Sequence, residues 1–277
     1  MMDWDPDFSR RSAMFEPLRG CAFAEVGGGW PDLAQLQRLI DRRVPPVCNS
    51  AGNPLRLVPH RRRSRAFEDK YEARIFLSAE LQMRTGNWHD LLNLLVWISF
   101  PHAKAALNAR HYTALRAQAA AGAANRGPVQ DALTLFDEGG VIVASTDQEL
   151  TGYLREWRWK ELFWIHRARL RACMRFCLFG HALYEKALQP FVGITGRGIV
   201  LSIEPQLLAL PFGEQIAVLD RLATEYIADA RRFASTRELA VVPILGVPGW
   251  CAANEREAYY ENQDYFRPAR GGMAGDE

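Results

Sequence analysis

Asn87-Trp88-His89-Asp90-Leu91-Leu92-Asn93-Leu94-Leu95-Val96-Trp97 decides how the rest of the chain is read. Asn87 stands where a helix N-cap belongs, and Asp90 follows three residues later as a variant of the capping box. The residues behind them are apolar nearly all round, the pattern of a helix buried on every side. A helix from Trp88 to about Ser99 is predicted. Within it an imidazole, a carboxylate and an amide enter core-like surroundings, where an unpartnered polar group costs about 1–3 kcal/mol. Something must satisfy His89 and Asn93, and that is either a structural network or a working site.

Pro101 would cost about 3 kcal/mol inside a helix. The chain should therefore break at Ser99-Phe100 and restart with Pro101 in a first turn, running on through Ala117. Upstream, the odd positions from Tyr71 to Met83 read Tyr, Ala, Ile, Leu, Ala, Leu, Met, and the even ones are polar apart from Phe76. This alternation favours a half-buried strand or hairpin, with a helix as the competing reading. Pro31 can open a short helix carrying Leu33, Leu36, Leu39 and Ile40, and the loop after it holds Pro45, Pro46, Gly52 and Pro54.

Downstream, residues 132–144 read as a β-hairpin turning at Asp137-Glu138-Gly139-Gly140. Helices are expected over 148–172, 181–188 and 213–233, and strands over 176–179 and 199–203. Residues 241–250 are extended and proline-interrupted, and Tyr259, Tyr260, Tyr265 and Phe266 should dock back on the body. No internal repeat or linker divides the chain. The expected fold is α+β: a helix-rich single domain with short β-hairpins and a small mixed or antiparallel sheet. It should span residues 1–270, with an N-terminal arm (1–30), a body (31–250) and a docked C-terminal segment (251–270), followed by a disordered tail (271–277).

The 277 residues are 48% hydrophobic and 24% charged, an ordinary globular balance. A net charge of +2 argues for neither a nucleic-acid nor an acidic partner. Five cysteines without regular spacing make no disulfide framework, and reduced thiols point to the cytoplasm. The acidic N-terminus has no apolar leader, and the greasiest window, Leu91 to Phe100, is about half the roughly 20 residues that span a bilayer. Arg61, Arg62, Arg63 and Arg65 form a basic run, read as a solvated loop, with a phosphate- or nucleic-acid-binding strip as the weaker alternative.

Several segments together resemble a bacterial family known as domain of unknown function 3025. They are Asn87-Trp88-His89-Asp90 with Phe100-Pro101, Asp131 to Glu138, Phe179-Gly180-His181 to Lys186, Gly246 to Trp250, and Tyr265-Phe266-Arg267-Pro268. The resemblance covers most of the chain. It implies a soluble bacterial protein and carries over no activity or site. The chain departs from that pattern at Ala79 to Arg84, where the family resemblance calls for Gly-x-Val-Pro-Thr-Arg, and at Gln130, where it calls for arginine.

His89 and Asn93 are one helical turn apart, as are His181 and Glu185. If the two helix starts converge, His89, His181 and Glu185, with Asp131 or Asp137, could hold one divalent zinc, manganese or iron. A metal-free alternative uses His89 as general base, oriented by Asp90 or Glu185, with Lys104 or an arginine stabilising an anion. Lys104, Asn108 and His111 share one helix face, whose simplest reading is exposed and polar. Cys173, Cys177 and His181 are successively four apart, but a thiol in an apolar strand stays protonated. No P-loop, dinucleotide fingerprint, zinc ribbon or nucleophile elbow is present. The reading that follows is hydrolysis of a phosphorylated or acyl substrate at a His/carboxylate site built from His89, Asp90, Asn93, His181 and Glu185, with or without a metal. The competing reading is a non-catalytic binding module in which the same residues form a structural hydrogen-bond network.

Overall fold

The computed structural model describes residues 3–21, 29–60, 66–123 and 125–268. Its elements in chain order are α1 (Leu33–Asp41), β1 (Arg56–Pro59), α2 (Tyr71–Ser78), β2 (Glu80–Met83), α3 (Trp88–Ser99), α4 (Pro101–Ala120) and α5 (Pro128–Gly139). Then follow β3 (Gly140–Ser145), α6 (Gln148–Arg155), α7 (Arg167–Cys173), β4 (Met174–Leu178), α8 (His181–Ala187), β5 (Thr195–Ser202), α9 (Pro205–Leu208), α10 (Phe212–Ala228) and β6 (Ala240–Pro243). Arg61, Arg62, Arg63 and Arg65 lie outside the described residues, as does the tail from residue 271.

The fold is α+β, with a four-stranded mixed sheet in the order β4-β3-β5-β6 and a separate parallel pair, β1-β2. β3 is antiparallel to β4 and parallel to β5, and β5 is antiparallel to β6. All of β3 is buried, so its sequence is continuously apolar or small rather than alternating. One hydrophobic cluster runs from Phe8 in the N-terminal segment to Phe266 near the end of the described chain. In the aromatic C-terminal segment, Tyr265 donates its hydroxyl to the Ile194 carbonyl at 2.7 Å, and Trp159 donates to the Arg267 carbonyl at 2.8 Å. Among the described residues no helix is long and apolar enough to cross a membrane.

Three local expectations need correction. Residues 71–83 are a helix and then a strand, not an alternating strand or hairpin. Leu77, which completes the period-two pattern, is exposed, whereas Ala73 and Ile75 are buried. Ala79 ends the helix in the left-handed conformation at φ 53°, where glycine is the natural residue. Residues 132–144 are likewise a helix running straight into a strand. Ala132, Leu133 and Phe136 bury one face of α5 at helical spacing. The glycines at 139 and 140 end that helix rather than turning a hairpin. The expected helix over 148–172 is also interrupted, by Trp157 at φ 58° and by a π-helical turn at Glu161–Ile165.

The predicted start of α3 holds: Asn87 accepts the Asp90 amide at 3.0 Å. The reciprocal half of the capping box does not form, because the Asp90 carboxylate is taken by Arg84 through bonds of 2.9 and 2.7 Å. α4 restarts at Pro101 without a cap of its own. Asp220 reaches across from α10 and accepts the amides of His102 at 3.1 Å and Ala103 at 2.8 Å, plus His102 Nδ1 at 2.7 Å. This buried carboxylate satisfies a helix N-terminus from another helix.

Gly180 fixes the approach of α8 to α5. A β-carbon there would lie 2.3 Å from the Gly140 nitrogen and 2.5 Å from the Glu138 carbonyl oxygen, both rigid backbone. Gly180→Ala should therefore destabilise by about 1–3 kcal/mol, the usual range for overpacking, read as a lowered midpoint in urea. Asp220→Ala should cost about 2 kcal/mol, because it strands buried amides that a charged acceptor now holds. A wild-type midpoint for Asp220→Ala would mean that α4 caps itself.

Candidate metal centre

Three helix ends meet beside the Gly180 contact: the start of α3, the end of α5 and the start of α8. They carry His89, Asp137 with Glu138, and His181. His89 Nε2 and His181 Nε2 are 3.0 Å apart, with the two rings nearly perpendicular at 77°. Glu138 Oε2 lies 3.7 Å from His181 Nε2. One ligand atom from each of His89, Glu138 and His181 falls within 4.8 Å of the other two.

A carboxylate stands behind each imidazole. Glu185 Oε2 is 3.0 Å from His89 Nδ1, so a proton on Nδ1 points at Glu185 and leaves Nε2 free to face the centre. Asp137 Oδ2 is 3.8 Å from His181 Nδ1, a buried nitrogen with no hydrogen-bond partner. Burial pulls the His181 pKa down to about 4, which keeps this ring neutral and its lone pair available at neutral pH. Burial pushes the Glu138 carboxyl upward. Among the described residues, the ion-pair partners of Glu138 and Glu185 are imidazoles alone, while the nearest buried cation, Lys104, is paired with Asp137.

Beneath the centre lies a buried polar network. Lys104, 4% exposed, donates to Asp137 Oδ1 and to Asn93 Oδ1, the latter at 2.9 Å, and packs over the Trp97 ring. Asn93 donates in turn to the Tyr71 hydroxyl at 2.6 Å. Burial alone would raise the Asp137 pKa, but the charge on Lys104, joined at low pH by protonated His181 and His111, outweighs it and brings it down to about 2. Asp137 is thus ionised and held.

The site opens into a cleft of about 890 Å³ that includes His89, Asp90, Asn93, Asp137, Glu138 and His181 among its lining residues. Most of the expected site residues are therefore neighbours, but their placements differ from the expected roles. Glu185 touches the outer nitrogen of His89 and is placed to orient it rather than to share its ligand. Asp90 is committed to Arg84, and Asn93 to Lys104 and Tyr71. Asp131 is exposed in the first turn of α5 and does not reach the cleft. The Lys104, Asn108 and His111 face is buried, not exposed, because α2 and α5 cover it. Cys177 is fully buried with its thiol pushed up to about 12, which leaves no nucleophilic pair with His181.

Glu138 reaches the site because residue 138 is helical. A hairpin over 132–144 puts it at a solvent-exposed turn, whereas a helix through 139 puts it on the last turn beside Asp137. The helical spacing of the apolar Ala132, Leu133 and Phe136 is the sequence signal for that helix.

Neither a curated protein nor a solved structure matches the chain. A family model described as "Protein of unknown function (DUF3025)" matches residues 55–270. That stretch runs from β1 through the docked C-terminal segment and holds His89, Glu138, His181 and Glu185. The chain belongs to this family of proteins of unknown function.

Proposed function

We propose that the protein is a hydrolase that uses a single divalent metal, held by His89, His181 and Glu138, against a phosphorylated or acyl substrate. The convergence of two Nε2 atoms and a carboxylate oxygen, with a further carboxylate behind each ring, carries this reading. Zinc binds imidazole nitrogen at about 2.0–2.1 Å, so neighbouring ligands sit roughly 3–3.4 Å apart. The two imidazole nitrogens already stand at 3.0 Å. Two nitrogens and one oxygen suit zinc, manganese or iron, and they leave coordination positions open toward the cleft.

The metal's contribution would be to acidify water and to polarise a substrate oxygen. The protein's own groups do the rest. Glu185 fixes the tautomer of His89, and Asp137 stands behind His181. Lys104 neutralises Asp137, so this carboxylate stays in place as an orienting group. Asn93 and Tyr71 complete the network that holds Lys104. The reduced thiols suggested by the unpatterned cysteines fit a cytoplasmic setting for such an enzyme.

Titration calorimetry of metal-stripped protein should give one zinc or manganese site per chain, abolished in His181→Ala and in His89→Ala. A panel of phosphomonoesters, phosphodiesters and carboxylic esters should yield one class of substrate whose hydrolysis stops with chelator and returns with metal. Folded protein that takes up neither ion would rule out the metal-assisted reading and leave acid–base chemistry or binding alone.

Glu185→Ala should weaken the metal about 10–100-fold, as loss of an orienting carboxylate does, with little change in melting temperature because the Glu185 side chain is 45% exposed. Unchanged affinity would show that Glu185 has no hold on His89 when metal is bound.

A further inference from the structure

A second cavity, of about 1070 Å³, lies along β5 and β6 and is closed by α10 and by the segment that follows α6. It shares no lining residue with the His89–His181 cleft. Its charged groups divide into those already committed and those left over. Arg231 grips Asp229 through bonds of 3.0 and 2.9 Å, and the Glu238 carboxylate accepts the amides of Phe233 and Ala234 at 2.9 Å each. Arg232 lies over the Tyr226 ring. Arg155, Arg197 and Arg237 form no side-chain hydrogen bond or ion pair with the described residues, and the exposed Glu225 is the acid left to oppose them.

Arg197 is the informative member of this group. It is half-buried in β5, between Gly140 of β3 and Val241 of β6, so its guanidinium base is anchored in the sheet. A sheet-anchored arginine with no counter-ion among the described residues offers its forked donors to an anion from outside the chain.

Trp157 supplies a second, independent observation. It occupies the left-handed position after α6 at φ 58°, where the Arg158 amide bonds back to the Tyr153 carbonyl at 2.9 Å. Glycine is the usual residue in that position, and bulky residues there mark places where the side chain has a task. The half-buried indole stacks on Trp159, ring centroids 6.1 Å apart, and also lines the same cavity as the arginines.

We infer that this cavity binds a small phosphate-bearing molecule with a flat heterocycle, a nucleoside diphosphate in kind. The phosphates rest on Arg155, Arg197 and Arg237, whose forked donors match phosphate oxygens. The ring stacks on Trp157.

The test is calorimetry on the full-length protein with ADP, pyrophosphate and adenosine as probes. ADP should saturate one site, pyrophosphate should bind more weakly, and adenosine more weakly still. Arg197→Gln and Arg237→Gln should each weaken ADP at least about tenfold, the size of a lost charge-assisted hydrogen bond. Trp157→Gly, which suits the backbone at that position, should lower ADP to the level of pyrophosphate and leave pyrophosphate unchanged. If Arg197→Gln fails to fold, Arg155→Gln and Arg237→Gln carry the test, since both side chains are exposed. Absence of ADP binding at millimolar concentration overturns the inference, as does ADP binding that ignores the arginine variants. Binding abolished by His89→Ala overturns it too, because the ligand would then lie in the other cleft. Pyrophosphate binding as tightly as ADP would overturn the stacking of a heterocycle on Trp157.

Discussion

The backbone of Gly180 lies against the main chain of Glu138, Gly139 and Gly140 with no room for a side chain, and the polar centre depends on that contact. The Gly140 carbonyl accepts the amides of both Phe179 and Gly180 at 2.9 Å, so the end of β4 and the start of α8 are stitched to the start of β3. His181 is the next residue along α8, and Glu138 stands one residue before Gly139 in α5. Close packing of two main-chain segments therefore becomes close packing of an imidazole and a carboxylate. α3 brings His89 to the same point because its apolar surface is buried against α8 and α4.

The centre is laid over a buried charged network of Lys104, Asp137 and Asn93. A buried ion pair such as Lys104–Asp137 gains its Coulomb energy only after paying desolvation, and such pairs are weak evidence for stability. Their value lies in definition. Lys104 has donors for both Asp137 and Asn93, and the arrangement fixes which face of α4 meets α5 and α3. The same network keeps Asp137 ionised beside the buried, neutral His181. The unpartnered nitrogens of His181 and His111 and the unpartnered Asn108 oxygen lie in and beneath this region, so its polar groups are not all satisfied from within the chain.

The mixed sheet explains how one chain presents two separate cavities. α5 runs directly into the buried central strand β3, so one end of that join faces the His89–His181 cleft. β5 pairs with β3 on one side and β6 on the other, and the β5–β6 edge walls the arginine-lined cavity. Gly140 and Arg197 are register partners in the β3–β5 pair, which places the glycine contact and the half-buried arginine on adjacent strands.

Local chemistry was legible wherever a short segment settles its own conformation. Asn87 announces the start of α3 because an N-cap bond is made within three residues, and Pro101 forces the break before α4 because a proline ring cannot continue a helix. The pairs His89 with Asn93 and His181 with Glu185 stood out because helical spacing is a local property. In residues 71–83 the alternation misleads because an apolar pattern does not say which residues the fold will expose, and Leu77 is exposed; in 132–144 the glycine pair ends a helix instead of turning a hairpin. The partner of each polar side chain was beyond reach for the same reason. Lys104 finds Asp137, His89 finds Glu185, and Glu138 joins the histidines across separations that loops and helix packing set. Only the three-dimensional meeting of α3, α5 and α8 could turn scattered polar residues into one centre, because hydrogen bonds and ligand geometry are decided over about 3 Å in space, not along the chain.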